Sequence, residues 1–134
     1  MKDKSFFDTN VLVYAIIEED PRKVRARELL AAGGVISVQV LNEFVSVMRR
    51  KLQMPWGDVR SALQWIRILC PEPVPLTTDT HEEALMIAER YVYRIYDSLI
   101  VASALEAKCE VLYSEDLQDG QVIYKQLAIH NPFA

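Results

Sequence analysis

Short apolar runs at residues 4–8, 35–37, 74–76 and 111–114 alternate with longer stretches whose apolar residues recur at helical spacing. This alternation leaves few folds open. Strands separated by helices pair in parallel, and the crossovers between them are right-handed. The carboxyl ends of such strands line one edge of an open sheet, where ligands bind. The expected fold class is therefore α/β, a three-layer α/β/α sandwich around a central, mostly parallel sheet. At 134 residues the chain forms a single domain, 1–134, long enough to bury its own core.

The first run carries two adjacent aromatics, Phe6 and Phe7, and Asp8 stands where the strand should end. Asp8 is either a turn or cap residue or an acid presented at the sheet's ligand edge. Residues 11–17 begin a short helix or turn, and Asp20-Pro21 reads as N-cap and first position of a helix that ends at Gly33-Gly34. The next helix, residues 38–51, buries Leu41, Phe44, Val45 and Met48, with Glu43 on the margin of that face. An acid there either reaches out to water or needs donors or a cation to offset its desolvation.

Met54-Pro55 breaks the chain before a helix over 56–69, whose buried side carries Val59, Leu63 and Ile66. Pro71, Pro73 and Pro75 then flank a short strand suited to a sheet edge. Thr80-His81-Glu82-Glu83 reads as a capping box. Residues 96–109 are apolar nearly all round, which predicts a central helix with Asp97 at its amino end, as an N-cap or more. The strand at 111–114 runs into Glu115-Asp116, and the runs at 122–124 and 127–129 supply a last edge strand.

Asp8 and Asp116 thus share an address, each just past the end of a strand, and the helices of Glu43 and Asp97 begin on the same side. Four ionised carboxylates in one cleft repel, by about 3 kcal/mol per pair at ~5 Å and an effective dielectric of ~20. Protons or cations must neutralise such a cluster. Hard oxygen donors favour Mg²⁺ or Mn²⁺, and a carboxylate-held ion suits hydrolysis of a phosphodiester.

The segments Phe7-Asp8-Thr9-Asn10-Val11-Leu12, Asn42-Glu43-Phe44, Tyr96-Asp97-Ser98-Leu99-Ile100-Val101-Ala102-Ser103-Ala104 and Ser114-Glu115-Asp116-Leu117 resemble, in order, the motifs of PIN-domain ribonucleases. The likeness is to the toxins of VapBC-type toxin–antitoxin pairs. It implies a Mg²⁺- or Mn²⁺-dependent endoribonuclease, a homodimer, and a small antitoxin partner whose tail covers the acidic cleft. It also implies Asp8, Asp97 and Asp116 as metal ligands, and Glu43 as a further ligand or water-orienting acid. Asn10 and Ser114 are implied to hold the carboxylates by hydrogen bonds. Tyr93-Arg94-Ile95-Tyr96 is bulkier than the residues common before the third acid, and Asp119 competes with Asp116 for the fourth place.

Two other classes compete. A phosphatase of the haloacid dehalogenase type also places an Asp after its first strand, but needs a second two residues on, where this chain has Asn10. A non-catalytic acidic module would receive a basic peptide. The net charge of −4 announces no global nucleic-acid field, and the basic runs Arg22, Lys23, Arg25, Arg27 and Arg49, Arg50, Lys51 are either phosphate contacts or solvated helix faces. Tyr14, Trp56 and Tyr96 either stack bases or pack. His81 and His130 lack ligand spacing. Cys70 and Cys109 have no metal or disulfide pattern, no apolar run reaches membrane-span length, and Met1-Lys2-Asp3-Lys4 leads straight into a strand; together these predict a cytoplasmic protein.

Overall fold

The computed structural model describes residues 4–134; Met1, Lys2 and Asp3, part of the start read above as leading straight into a strand, lie outside it. Four strands are present: β1 (Ser5–Phe7), β2 (Val111–Tyr113), β3 (Val122–Ile123) and β4 (Leu127–His130). Their order across the sheet is β1-β2-β4-β3. β1 and β4 both pair in parallel with β2, with Phe6 beside Leu112 and Leu112 beside Ile129. β3 closes one edge antiparallel to β4. Of the two late apolar runs, one is therefore the expected edge strand and the other lies inside the sheet.

Two predicted strands shrink to single bridges, Val35 to Phe6 and Ser37 to Val74, both parallel. Proline explains the second. Pro73 and Pro75 have no N–H, so Val74 alone can both donate and accept, to Ile36 and from Val38. Ser37 leaves the sheet at once, because its hydroxyl accepts from Val40 N and caps α3 (Val38–Arg50). Even so, Val35 exchanges backbone hydrogen bonds with Ser5 and Phe7, so β1 is flanked on both sides.

Six helices complete the described residues: α1 (Thr9–Ile16), α2 (Lys23–Ala32), α3, α4 (Trp56–Leu69), α5 (Thr78–Tyr91) and α6 (Ile95–Glu106). Neighbouring residues of a strand face opposite sides. Phe6 and Phe7 are both fully buried, so both faces of β1 are covered, as a layered α/β/α arrangement requires. α3 buries Phe44 and Met48 completely, and α6 is buried on nearly all sides through Ile100, Val101, Ala102 and Ala104. Cys70 and Cys109 are free, buried thiols. Among the described residues no helix is long and apolar enough to cross a membrane.

Three helix starts differ from the sequence reading. α2 opens at Lys23, not after Asp20, and its N-cap Arg22 makes no capping bond through its side chain. Asp20 instead closes a turn, accepting from Arg22 N at 2.8 Å. The capping box of α5 sits one turn early, between Thr77 and Thr80, because Thr77 holds the extended backbone that an N-cap needs. α6 is capped at Arg94, which puts Asp97 in the third helical position. Asp97 is therefore not a cap.

Candidate active site

The register of β1 against β2 builds the centre of the site. Asp8 N donates to Tyr113 O at 3.0 Å, which brings the end of one strand beside the end of the other. Asp8 is the N-cap of α1: one carboxylate oxygen accepts from Thr9 N at 2.6 Å, and the other accepts from Ser114 Oγ at 2.7 Å. It is 3% exposed. Asp8 is thus a cap, and its carboxylate also lies just past the end of β1, beside the end of β2. Burial pushes its carboxyl up from the ordinary 3.8 to about 6; the charges of Asp116 and Glu43 act the same way, and the bonds from Ser114 and Thr9 oppose them.

Ser114 also shapes the loop after β2. Its Oγ accepts from Asp116 N at 3.2 Å and from Leu117 N at 3.3 Å. That turn aims Asp116 at Asn10, whose Nδ2 donates to Asp116 Oδ2 at 2.9 Å. Glu43 approaches from α3. It accepts from Thr9 Oγ1 at 3.1 Å and from Gln39 Nε2 at 2.9 Å, so it has donors and is not merely reaching for water. Thr9 consequently links two acids, giving its N–H to Asp8 and its hydroxyl to Glu43. Asp97 enters from the first turn of α6, half-buried. Its carboxyl is raised first by burial and then by the charge of Asp116, with Arg94 opposing.

The four acids therefore form a string of like charges, Glu43 to Asp8 to Asp116 to Asp97, in which Asp8 feels Asp116 and Glu43, and Asp97 feels Asp116. As they stand, no three His, Cys, Asp or Glu side chains among the described residues are close enough to grip one ion. The donor set still fits a hard divalent cation, because it offers carboxylate oxygens only and buries one of them against its own charge. Asp119 lies apart from the string. It is exposed, accepts from Asn131 N at 2.8 Å and sits 3.6 Å from His130 Nδ1.

Sequence reasoning missed a second network beside the acids. Arg22 bridges Asp20 and Glu115, and donates to the Tyr14 hydroxyl at 2.7 Å. Tyr14 donates in turn to Glu115 through a very short hydrogen bond. Nothing local announces this. Arg22 reads as one member of a basic run, and its partner Glu115 is 93 residues away. The rest of that run is matched at home: Lys23 pairs with Glu18, Arg25 with Glu28, and Arg27 donates to Ala15 O and stacks on Trp65. Arg50 and Lys51, at the far end of α3 from the site, are exposed, as are Trp56 and Tyr96.

A model of the PIN domain family matches residues 5–119. No curated protein sequence matches the chain. Several solved structures share its fold. One is the VapC20 toxin of Mycobacterium tuberculosis, described as cleaving the sarcin–ricin loop, with a TM-score of 0.67 and 21% identity over 84% of this chain and 90% of that one. A toxin–antitoxin complex from Klebsiella pneumoniae gives 0.71 and 20%, covering 97% of this chain and 98% of the other. VapBC2 from Rickettsia felis, bound to a DNA fragment from their promoter, gives 0.64 and 23%, over 95% and 97%.

Proposed function

The chain belongs to the PIN domain family, and from that premise we propose that it is a metal-dependent endoribonuclease, the toxin of a toxin–antitoxin pair. The observation that carries this reading is the string of four carboxylates, drawn from four separate segments, with buried Asp8 at its centre. In this reading Asp8, Asp97 and Asp116 hold Mg²⁺ or Mn²⁺. A divalent ion held there supplies an activated water and neutralises phosphoryl oxygens. Glu43 orients that water, and Gln39 and Thr9 fix the direction of its carboxylate. Ser114 and Asn10 hold Asp8 and Asp116 by donating to one oxygen of each.

Solved relatives include toxin–antitoxin complexes, which supports a small antitoxin as partner. A homodimer and a cytoplasmic site of action belong to the same reading. The phosphatase alternative needs a second acid two residues after Asp8, where this chain has Asn10, a donor to Asp116. A phosphodiester substrate needs positive charge somewhere on the rim, and exposed Arg94, whose charge acts on Asp97, is available for it.

The test incubates purified chain with structured RNA in MgCl₂ or MnCl₂. Cleavage is expected with either ion, lost in EDTA and lost in Asp97→Asn. Cleavage that survives unchanged in Asp97→Asn overturns the assigned site. Absence of cleavage in the wild type, on a panel of structured RNAs with both ions, overturns the activity.

A further inference from the structure

How many divalent ions an acidic cleft takes depends on how many of its carboxylates are free. Beside Asp116 the chain provides one more, Glu115, and both of its oxygens are engaged. Arg22 Nη1 donates to Oε1 at 3.0 Å, and the Tyr14 hydroxyl donates to Oε2. Asn10 Nδ2 lies 3.5 Å from the same Oε2 while it donates to Asp116 at 2.9 Å, so the two neighbouring acids share one amide.

The guanidinium reaches past Glu115 to a second acid. Its Nε and Nη2 lie 3.0 and 2.9 Å from the two oxygens of Asp20. Its carbon stands 3.7 Å from the centre of the Tyr14 ring. Asp20 also accepts from Arg22 N at 2.8 Å, so the backbone turn fixes the side chain that bears the charge. A planar, permanently charged group bridging two carboxylates does what a divalent cation would do between them. It has the further property that it cannot be removed by chelation or dilution.

We propose that Arg22 is a resident cation filling the second half of the acidic cleft, so that the protein takes one divalent ion rather than two. The inference rests on the metal-dependent reading above, and deepens it. Arg22 pairs with Glu115 and Asp20 and not with Asp8, Asp97 or Asp116, which stay available to the ion. Glu115 and Asp20 are neutralised from within the chain, and Asn10 remains turned to Asp116. Loss of the guanidinium leaves Glu115, Asp20 and the Tyr14 hydroxyl as an oxygen-only set with no positive partner, and a second hard cation then enters.

Isothermal titration of the full chain with MnCl₂, checked by counting bound Mn²⁺ by electron paramagnetic resonance, reads this directly. The wild type is expected to bind one equivalent, Arg22→Gln two, and Arg22→Lys one. The double variant Arg22→Gln, Glu115→Gln is expected to return to one. Two equivalents on the wild type, or one on a cooperatively melting Arg22→Gln, overturns the proposal while leaving the nuclease reading standing. A wild type that binds no Mn²⁺ overturns the metal reading, and this proposal with it. Should Arg22→Gln not fold, the wild-type count and that of Glu115→Gln, expected at one, still decide the matter.

Discussion

Ser114 Oγ donates to Asp8 Oδ2 at 2.7 Å across 106 residues of sequence, and the same oxygen accepts from Asp116 N. One hydroxyl thus fixes two of the acids. Replacing it, Ser114→Ala, leaves the buried Asp8 carboxylate with a single donor. In EDTA at pH 8 this should cost about 1–3 kcal/mol in urea unfolding, and raise the Asp8 carboxyl above its present value of about 6. Unfolding curves and a carboxyl-detected NMR titration check both.

Asp8 makes stability depend on pH in a defined direction. Its folded carboxyl titrates at about 6 against the ordinary 3.8, so the folded chain binds the extra proton between those values. The contribution is therefore largest at low pH, declines as pH rises from about 4 to about 6, and amounts to at most ~3 kcal/mol. In EDTA at pH 7.5 Asp8→Asn should be more stable than wild type by about 1–3 kcal/mol, with a flatter profile between pH 4 and 6. Saturating Mn²⁺ should stabilise the wild type and not the variant. A less stable Asp8→Asn in EDTA would show that the carboxylate is not strained by its own burial.

Asp116 and Asp119 separate cleanly. Among the described residues Asp119 serves Asn131 N and His130, and it is exposed. Asp119→Asn should therefore keep RNA cleavage within about twofold of wild type, while Asp116→Asn should lose about a hundredfold, the scale seen when a metal site is disturbed. Initial rates at fixed Mn²⁺ settle which acid belongs to the site.

Gly34 lies flat against the first strand. A Cβ there would come within 2.5 Å of the Phe7 ring and 3.0 Å of Ser5 O. Phe7 is fully buried, so Gly34→Ala should force the ring or the backbone to shift and cost about 1–3 kcal/mol in urea unfolding. Because Phe7 directly precedes Asp8, Mn²⁺ affinity should fall with it; an unchanged unfolding midpoint would mean the ring has room to move.

The features legible in the sequence were those with a local cause. Flanking prolines gave α4 its observed limits, Trp56–Leu69, and the nearly all-round apolarity of residues 96–109 announced a buried helix. The end-of-strand placement of Asp8 and Asp116 followed from alternation alone. What failed locally was a competition between equivalent residues. Asp20 and Thr80 both suit an N-cap, but Asp20 was committed to Arg22, and Thr77 took the extended geometry one turn earlier. The Arg22–Glu115 pair and the Thr9 link between Asp8 and Glu43 join segments far apart in the chain, and no spacing rule reaches them.

The parallel pairing of residues 5–7 with 111–113 has a consequence during synthesis. A chain still on the ribosome has Asp8 early, but lacks the strand that supports it, the hydroxyl that holds it and the acid that faces it until Ser114, 106 residues further on, and Asp116 have been made. The carboxylate cluster is therefore assembled late, when the segment after β2 folds back onto the first strand, and not as each acid leaves the ribosome.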